Sequence, residues 1–379
     1  MSIFVIHTVG SLGENAGGPP RTVPSLCRHV ASAGVDVTSE IVTTTDRKFG
    51  DNLEPGGVKV HTSDVNDGSR GLVELIRSRI EPFDPTTTLI HDHGQWLPMN
   101  RASAAVSRKF GVKRIVTPRG MLSPWALGHH RLKKSVAWWL FAKRDLHQAS
   151  MVHVTSEQEH DDLRRLGVKV PILVLPNGVD FPCESELGNS DKDIGEPPFV
   201  LFFGRLHQVK GIHELIAAWR EVQPEGWDLR LAGPDEENLL DRISIGTSDR
   251  IRYMGKIEGD KKWPLLRDAS LLVLPSFTEN FGVAAAEALV AGTPVIATKG
   301  TPWQSLKQHD CGWWIEMHEL AETLREATSL DPIRLQELGQ KGRQFAQNAF
   351  GWNKIGRQTA DAYRWLLGLA EQPECVRLK

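Results

Sequence analysis

Four cysteines in 379 residues, at 27, 183, 311 and 375, form no CxxC pair. This argues against a disulfide framework or a zinc site and fits independent thiols in a reducing compartment. No apolar run approaches the roughly 20 residues of a membrane-spanning helix. The start, MSIFVIHTVG, lacks a basic leader and a long apolar core, so it reads as a first strand and not as a signal peptide. The chain is therefore expected in the cytoplasm. Charge of one sign is missing as well: 45 Lys and Arg against 47 Asp and Glu leave a formal net charge of -2, and no nucleic-acid partner is expected. Nor is there a GxGxxG fingerprint. ENAGGPP, after the first apolar run, has the glycines without the spacing.

What is present is a soluble globular composition, 40% apolar and 24% charged, in a chain long enough for two cores. Apolar, β-rich runs at 3–9, 35–43, 58–61, 88–91, 114–117, 151–155 and 172–175 alternate with helical patterns such as 21–33 and 71–80. A second series follows at 199–203, 229–232, 251–254, 271–274 and 295–298. Continuous apolar strands separated by helices predict parallel sheets covered on both faces. The polar stretch CESELGNSDKDIGEPP, 183–198, reads as a linker or exposed loop. The expectation is an α/β chain of two Rossmann-like, doubly wound domains facing an interdomain cleft, with ligands at the carboxyl ends of the strands. The boundaries are read as 1–178, 179–355 and a terminal helix, 356–379, returning to the first domain.

The second series carries the sharper chemistry. In FFGRLHQVKG a strand runs into a glycine turn at Gly204, with Arg205 and Lys210 before the next helix. Two cations there suit a diphosphate, arginine as a fork and lysine as a point charge. The segment FTENFGVAAAEALVAGTPVI sets Glu279 just before a predicted helix, 281–291, and Glu287 about two turns inside it. Unpaired N–H groups and the dipole at that helix start suit a phosphate or a sugar hydroxyl. Carboxylates suit hydroxyl pairs. Glu287 stands among Ala284, Ala285, Ala286, Ala288 and Leu289, where an unpaired buried carboxylate would cost several kcal/mol.

FGRLHQVKG, ENFGVAAAE with GTPVIAT after it, and PNGVD at 176–180 resemble, in order and separation, the retaining nucleotide-sugar glycosyltransferases of family 4, which have the GT-B fold. The likeness extends weakly over nearly the whole chain. It implies that Arg205 and Lys210 hold the donor diphosphate and stabilise the departing nucleotide, and that Glu279 binds the donor sugar. Backbone groups of Asn280, Phe281 and Gly282 would meet the sugar or distal phosphate, Glu287 the ribose, and Tyr253 and Met254 the base. Pro234, Asp235 and Glu236 would border the nucleotide.

In the first domain the resemblance assigns Gly17 and Gly18 to a loop bordering donor phosphates and acceptor, and His93 of LIHDHGQW to the donor sugar. His91 and His93 are expected to point to opposite faces of an extended chain, and no metal or other cofactor is expected. Where many relatives have a threonine–aromatic–histidine pattern this chain has TPRGMLSPWAL, which suggests Arg119 as an acceptor or phosphate contact and Trp125 as an acceptor contact. That pattern resembles a branch associated with bacterial polysaccharide assembly, including lipopolysaccharide. The segment GHHRLKKSVAWWLFAKRDL, 128–146, sets basic residues beside Trp138, Trp139 and Phe141. It suits an anionic membrane or a pyrophosphate-linked lipid, and equally a surface helix with a Trp/Leu core face. The expected function is retaining transfer of a sugar from a nucleoside diphosphate donor (UDP or GDP) to a glycan acceptor, lipid-linked, at the cytoplasmic membrane face. The alternatives are a soluble sugar phosphate or metabolite acceptor, and a non-catalytic nucleotide-sugar-binding protein.

Overall fold

The computed structural model describes residues 2–13, 18–45, 57–64, 68–128, 131–187, 197–243, 245–257 and 259–378. The strands, in chain order, are β1 (Ile3–Val9), β2 (Val37–Thr45), β3 (Val60–Asp64), β4 (Thr88–His93), β5 (Lys113–Thr117), β6 (Met151–Val154) and β7 (Ile172–Val174). They continue as β8 (Phe199–Phe203), β9 (Asp228–Ala232), β10 (Ile251–Gly255), β11 (Leu271–Leu274), β12 (Val295–Thr298), β13 (Gly312–Ile315) and β14 (Val376–Arg377). They fall into two compact units: Met1–Gly178 with Trp352–Lys379, and Val179–Gly351. The return to the first unit begins at Trp352 and not at residue 356, because the helix Pro332–Phe350 ends in extended backbone at Gly351 and a new helix starts directly after it.

In the first unit the strand order is β14-β7-β6-β5-β4-β1-β2-β3, parallel except for β14. All seven residues of β1 are buried, as a strand covered on both faces requires. Alternation sorts them. Ile3 and Val5 join Leu89, Ile115 and Tyr363 under the helices Pro19–Ala31 and Trp352–Leu366. Phe4 and Ile6 join Ile76, Ile90 and Met99 under Gly68–Ile80 and Pro98–Phe110. The order reverses between β1 and β4, so a crevice opens where the loops after those two strands diverge.

The second unit repeats the scheme with the order β10-β9-β8-β11-β12-β13, all parallel. Its reversal lies between β8 and β11, the two strands whose following loops carry FGRLHQVKG and FTEN. The helix Val283–Ala291 is apolar but for Glu287 and is buried from Ala285 to Ala291. Its two-residue later start reflects Gly282, which is left-handed (φ 78°) and caps the helix. Among the described residues of the acidic stretch, Glu184–Leu187 form a helical turn, while 188–196 lie outside the description.

Candidate functional site

The second unit brings together most of the groups read from its motifs. Gly204 and Gly233 (φ 154° and 142°) let the turns after β8 and β9 touch: a Cβ on Gly233 would stand 1.9 Å from the Gly204 carbonyl oxygen. His207 then caps a short turn, Gln208–Lys210, its Nδ1 accepting from the Val209 N–H at 3.1 Å. The Val209 carbonyl accepts in turn from the Phe277 N–H at 2.9 Å, which locks the β8 loop to the β11 loop. Across this junction Lys210 forms an ion pair with Glu279, whose Oε1 also accepts from the Ser276 hydroxyl at 3.0 Å. Arg205 lies exposed one residue past Gly204.

Beside Glu279, the helix Val283–Ala291 begins with no side-chain cap and no acidic residue in its first turn; the Ala285 N–H donates to the Gly282 carbonyl at 3.0 Å, and the positive end of the helix dipole is left without a carboxylate of its own. A Cβ at Gly282 would stand 2.8 Å from Leu274 Cδ2 and 2.9 Å from Trp303 Nε1, so the backbone there is fixed by packing as well as by φ. The Phe281 ring belongs to the core, between Trp303 and Phe350. Asn280 is half-buried. Glu287 is 6% exposed and has a partner that the sequence did not reveal: Lys262, which begins the helix Lys262–Asp268 and also lies over the Trp263 ring. Tyr253 and Met254 sit half-exposed at a register shift between β10 and β9, and the Tyr253 hydroxyl donates to the Gly233 carbonyl at 2.9 Å. Both oxygens of Asp235 accept from backbone N–H groups of Leu239 and Leu240, so this carboxylate caps a helix.

The first unit holds a denser cluster than its sequence suggested. His91 and His93 do not face opposite ways. Residues two apart on a strand share a face, and the two rings stack with centroids 4.3 Å apart. His7, opposite His91 in the β1–β4 register, joins them, and a nitrogen from each of His7, His91 and His93 lies within 4.8 Å of the others. The hydrogen bonds fix the protons. Arg119 can only donate, so the His93 Nδ1 it meets at 3.1 Å is an acceptor. His93 therefore carries its proton on Nε2 and gives it to His7 Nδ1 at 3.0 Å. The His7 proton is left on Nε2, a buried atom with no partner.

A second chain runs beside the first. His153 Nε2–H donates to the Leu175 carbonyl at 2.9 Å, which makes its Nδ1 the acceptor of the Thr117 hydroxyl at 3.3 Å. Thr117 then accepts from His91 Nε2–H at 2.8 Å, and His91 Nδ1 accepts from the Tyr363 hydroxyl at 2.6 Å. All four imidazoles are held neutral. Burial, with the Arg119 cation adding to it, lowers His7 to about 3 and His153 to about 4, and holds His91 and His93 well below their usual value. A metal on His7, His91 and His93 would have to break these bonds beside a guanidinium.

Arg119, in left-handed backbone (φ 54°), also donates to the Thr22 hydroxyl at 3.2 Å, and burial lowers it to about 10. Its loop is clamped by Glu159, which accepts from the Gly120 and Thr155 N–H groups at 2.7 and 2.9 Å. His93 is thus 2% exposed with both nitrogens engaged, and Arg119 is half-buried beside it. Gly18 caps the helix Pro19–Ala31, whose two leading prolines offer no N–H, while Gly17 lies outside the described residues. Trp125 is 36% exposed in the short helix Pro124–Gly128.

Two family models cover the two units: residues 17–178 match a glycosyl transferase 4-like domain and residues 188–345 match glycosyl transferases group 1. Among curated relatives, the chain is 34% identical over 242 residues to a D-inositol 3-phosphate glycosyltransferase of Streptomyces bingchenggensis, a match over 57% of this chain and about half (52%) of the relative. Among solved structures it is similar to a sucrose-phosphate synthase from Thermosynechococcus elongatus (TM-score 0.78, 24% identity, 97% and 100% of the two chains). It is also similar to the Anabaena protein Alr3699/HepE in complex with UDP-glucose (TM-score 0.76, 19% identity, 95% and 99%). The second unit therefore carries a domain of the group 1 glycosyltransferases, and the first a glycosyltransferase 4-like domain.

Proposed function

We propose that the protein transfers a sugar from a nucleoside diphosphate donor to a hydroxyl acceptor with retention of configuration. The observation that carries this reading is the Lys210–Glu279 pair at the β8–β11 reversal, beside an uncapped helix start. Lys210, with Arg205, would neutralise the diphosphate. Glu279, released from Lys210 as phosphate replaces it, would accept from donor sugar hydroxyls. Glu287 would offer its second oxygen to the ribose while Lys262 holds the first, and Tyr253 and Met254 would flank the base.

The step is a front-face displacement. The bond from the anomeric carbon to the phosphate oxygen breaks, the bond to the acceptor oxygen forms on the same face, and the acceptor's proton passes to the departing phosphate. Catalysis is then positioning and charge stabilisation, with side-chain cations in the role a metal takes elsewhere. UDP is the first nucleotide to try, since the Anabaena structure is a complex with UDP-glucose.

For the acceptor, the names of relatives such as the inositol 3-phosphate enzyme support a soluble, phosphorylated sugar alcohol or sugar. Arg119, hydrogen-bonded to the neutral His93 and Thr22 and with the Glu159 carboxylate near enough to favour its charge, is the cation such a phosphate would meet. A lipid-linked glycan is the second reading, favoured by the exposed Trp139 and Leu140. Incubation with UDP-glucose and a panel of sugar phosphates, or with membrane extract, followed by NMR of the product anomer, tests both. A product with the donor's anomeric configuration supports the mechanism, and an inverted product refutes it.

A further inference from the structure

The segment 131–147 is helical, with a π turn at Trp138–Ala142 between Arg131–Ala137 and Lys143–His147. One side of it is core. Trp138 packs on the cluster of Val116, Leu146 and Leu163, and Ala142 and Leu146 are buried. The other side is also apolar and lies open: Val136 is 59% exposed, Trp139 75% and Leu140 74%. Their spacing, i, i+3 and i+4, makes one stripe, and one turn further on the same stripe continues as Lys143 and Arg144. A surface helix needs one apolar stripe to hold it to its core. A second, uncovered one marks a surface that meets an apolar phase or a partner.

The charges around the stripe select between these. Residues 98–110 and 134–147 contain six Lys or Arg and a single carboxylate, Asp145, which is engaged by Arg108 at 2.9 Å. Lys143 lies over the Trp139 ring and Arg101 over Phe141. Directly beside Leu140 a cavity of about 270 Å³ opens against the helices Gly68–Ile80 and Pro98–Phe110, lined by Arg101, Arg108 and Arg144, by the Asp145 carboxylate that Arg108 engages, and by an apolar floor that includes Phe141. Guanidinium groups around such a cavity match phosphate. A basic indole-bearing stripe next to it matches an interfacial layer of anionic lipid, whose surface potential attracts each Lys or Arg. The helices forming the cavity cover the face of the first sheet opposite the histidine chains.

We propose that this patch seats the protein on an anionic phospholipid surface, with Val136, Trp139 and Leu140 in the interfacial layer and a lipid phosphate among Arg101, Arg108 and Arg144. The proposal goes beyond the transfer reading, and vesicle binding is read without turnover, so the two stand or fall separately.

The test is co-sedimentation of the full chain with vesicles of phosphatidylcholine alone and of equimolar phosphatidylcholine and phosphatidylglycerol. The native chain is expected to sediment with the anionic vesicles only, and less as salt rises. Trp139→Ser with Leu140→Ser should weaken this at least about tenfold, and Arg101→Ala with Arg144→Ala should reduce it to the level on neutral lipid. Circular dichroism unchanged in both variants establishes that they fold. The proposal is overturned if the native chain sediments with neither vesicle, or if both variants bind as it does. It is also overturned if the native chain forms a lipid-free dimer that Trp139→Ser with Leu140→Ser dissociates, which would assign the stripe to a second copy.

Discussion

Lowering the pH from 7.5 to 5.0 should loosen the first unit, through its neutral histidines. A histidine whose folded pKa lies below its unfolded 6.5 binds more protons when unfolded, so its contribution is complete above 6.5 and is lost as pH falls below that value. For His7, lowered to about 3, the loss at pH 5.0 is about 1.4 kcal/mol for each of 1.5 pH steps, or about 2 kcal/mol. His153, lowered to about 4, gives about the same, and His91 and His93 act in the same direction. Asp92 and Glu159, raised by burial, act oppositely, since a raised carboxyl gains stability as pH falls. A difference measurement removes them. Hydrogen-exchange protection of the β1 and β4 peptides, corrected for intrinsic rates, should fall between pH 7.5 and 5.0 by about 2 kcal/mol more in the native chain than in His7→Gln, which keeps an acceptor for His93. Equal pH dependence in the two proteins would refute the neutral-histidine chain.

Lys262→Met should destabilise the second unit by about 3–5 kcal/mol in urea unfolding, because it strands the Glu287 carboxylate, and adding Glu287→Leu should recover most of that. A double variant no more stable than Lys262→Met would show that the ion pair is not the cause. Gly282→Ala must take a left-handed backbone (φ 78°) and a Cβ contact of 2.8 Å with Leu274; a loss of at least about 1–2 kcal/mol is expected, together with weaker nucleotide binding. Lys210→Ala should lower kcat about 10²- to 10³-fold if it stabilises the departing phosphate, and a change confined to KM would assign it to ground-state binding instead.

Much of the second unit was legible because its signals are local. The ends of β8, β11 and β12, the turn at Gly204 and the helix closed by Gly292 are written in short apolar runs and the glycines that punctuate them. Lys210 and Glu279 were both singled out, though their contact with each other, across 69 residues, was not. Lys262 was overlooked because nothing in GDKKWP marks a lysine that will meet a carboxylate 25 residues later. The first unit hid more. His7 and His93 are 86 residues apart and meet only through the β1–β4 register, and Tyr363 reaches His91 from a helix 272 residues on. One signal in the sequence does point to the cluster: the spacing of His91 and His93 places both on one face of the strand. β13 and β14 escaped notice for a simpler reason, since GWWI and a two-residue edge strand have too little periodicity to read.

The donor site is the centre of the account, and calorimetric titration of the full chain with UDP, GDP and ADP tests it most directly, alongside Lys210→Ala and Glu287→Gln. One of the three nucleotides is expected to bind selectively, and each substitution to weaken that binding about tenfold or more. A folded chain that binds none of them, or binds one with an affinity indifferent to both substitutions, would contradict it.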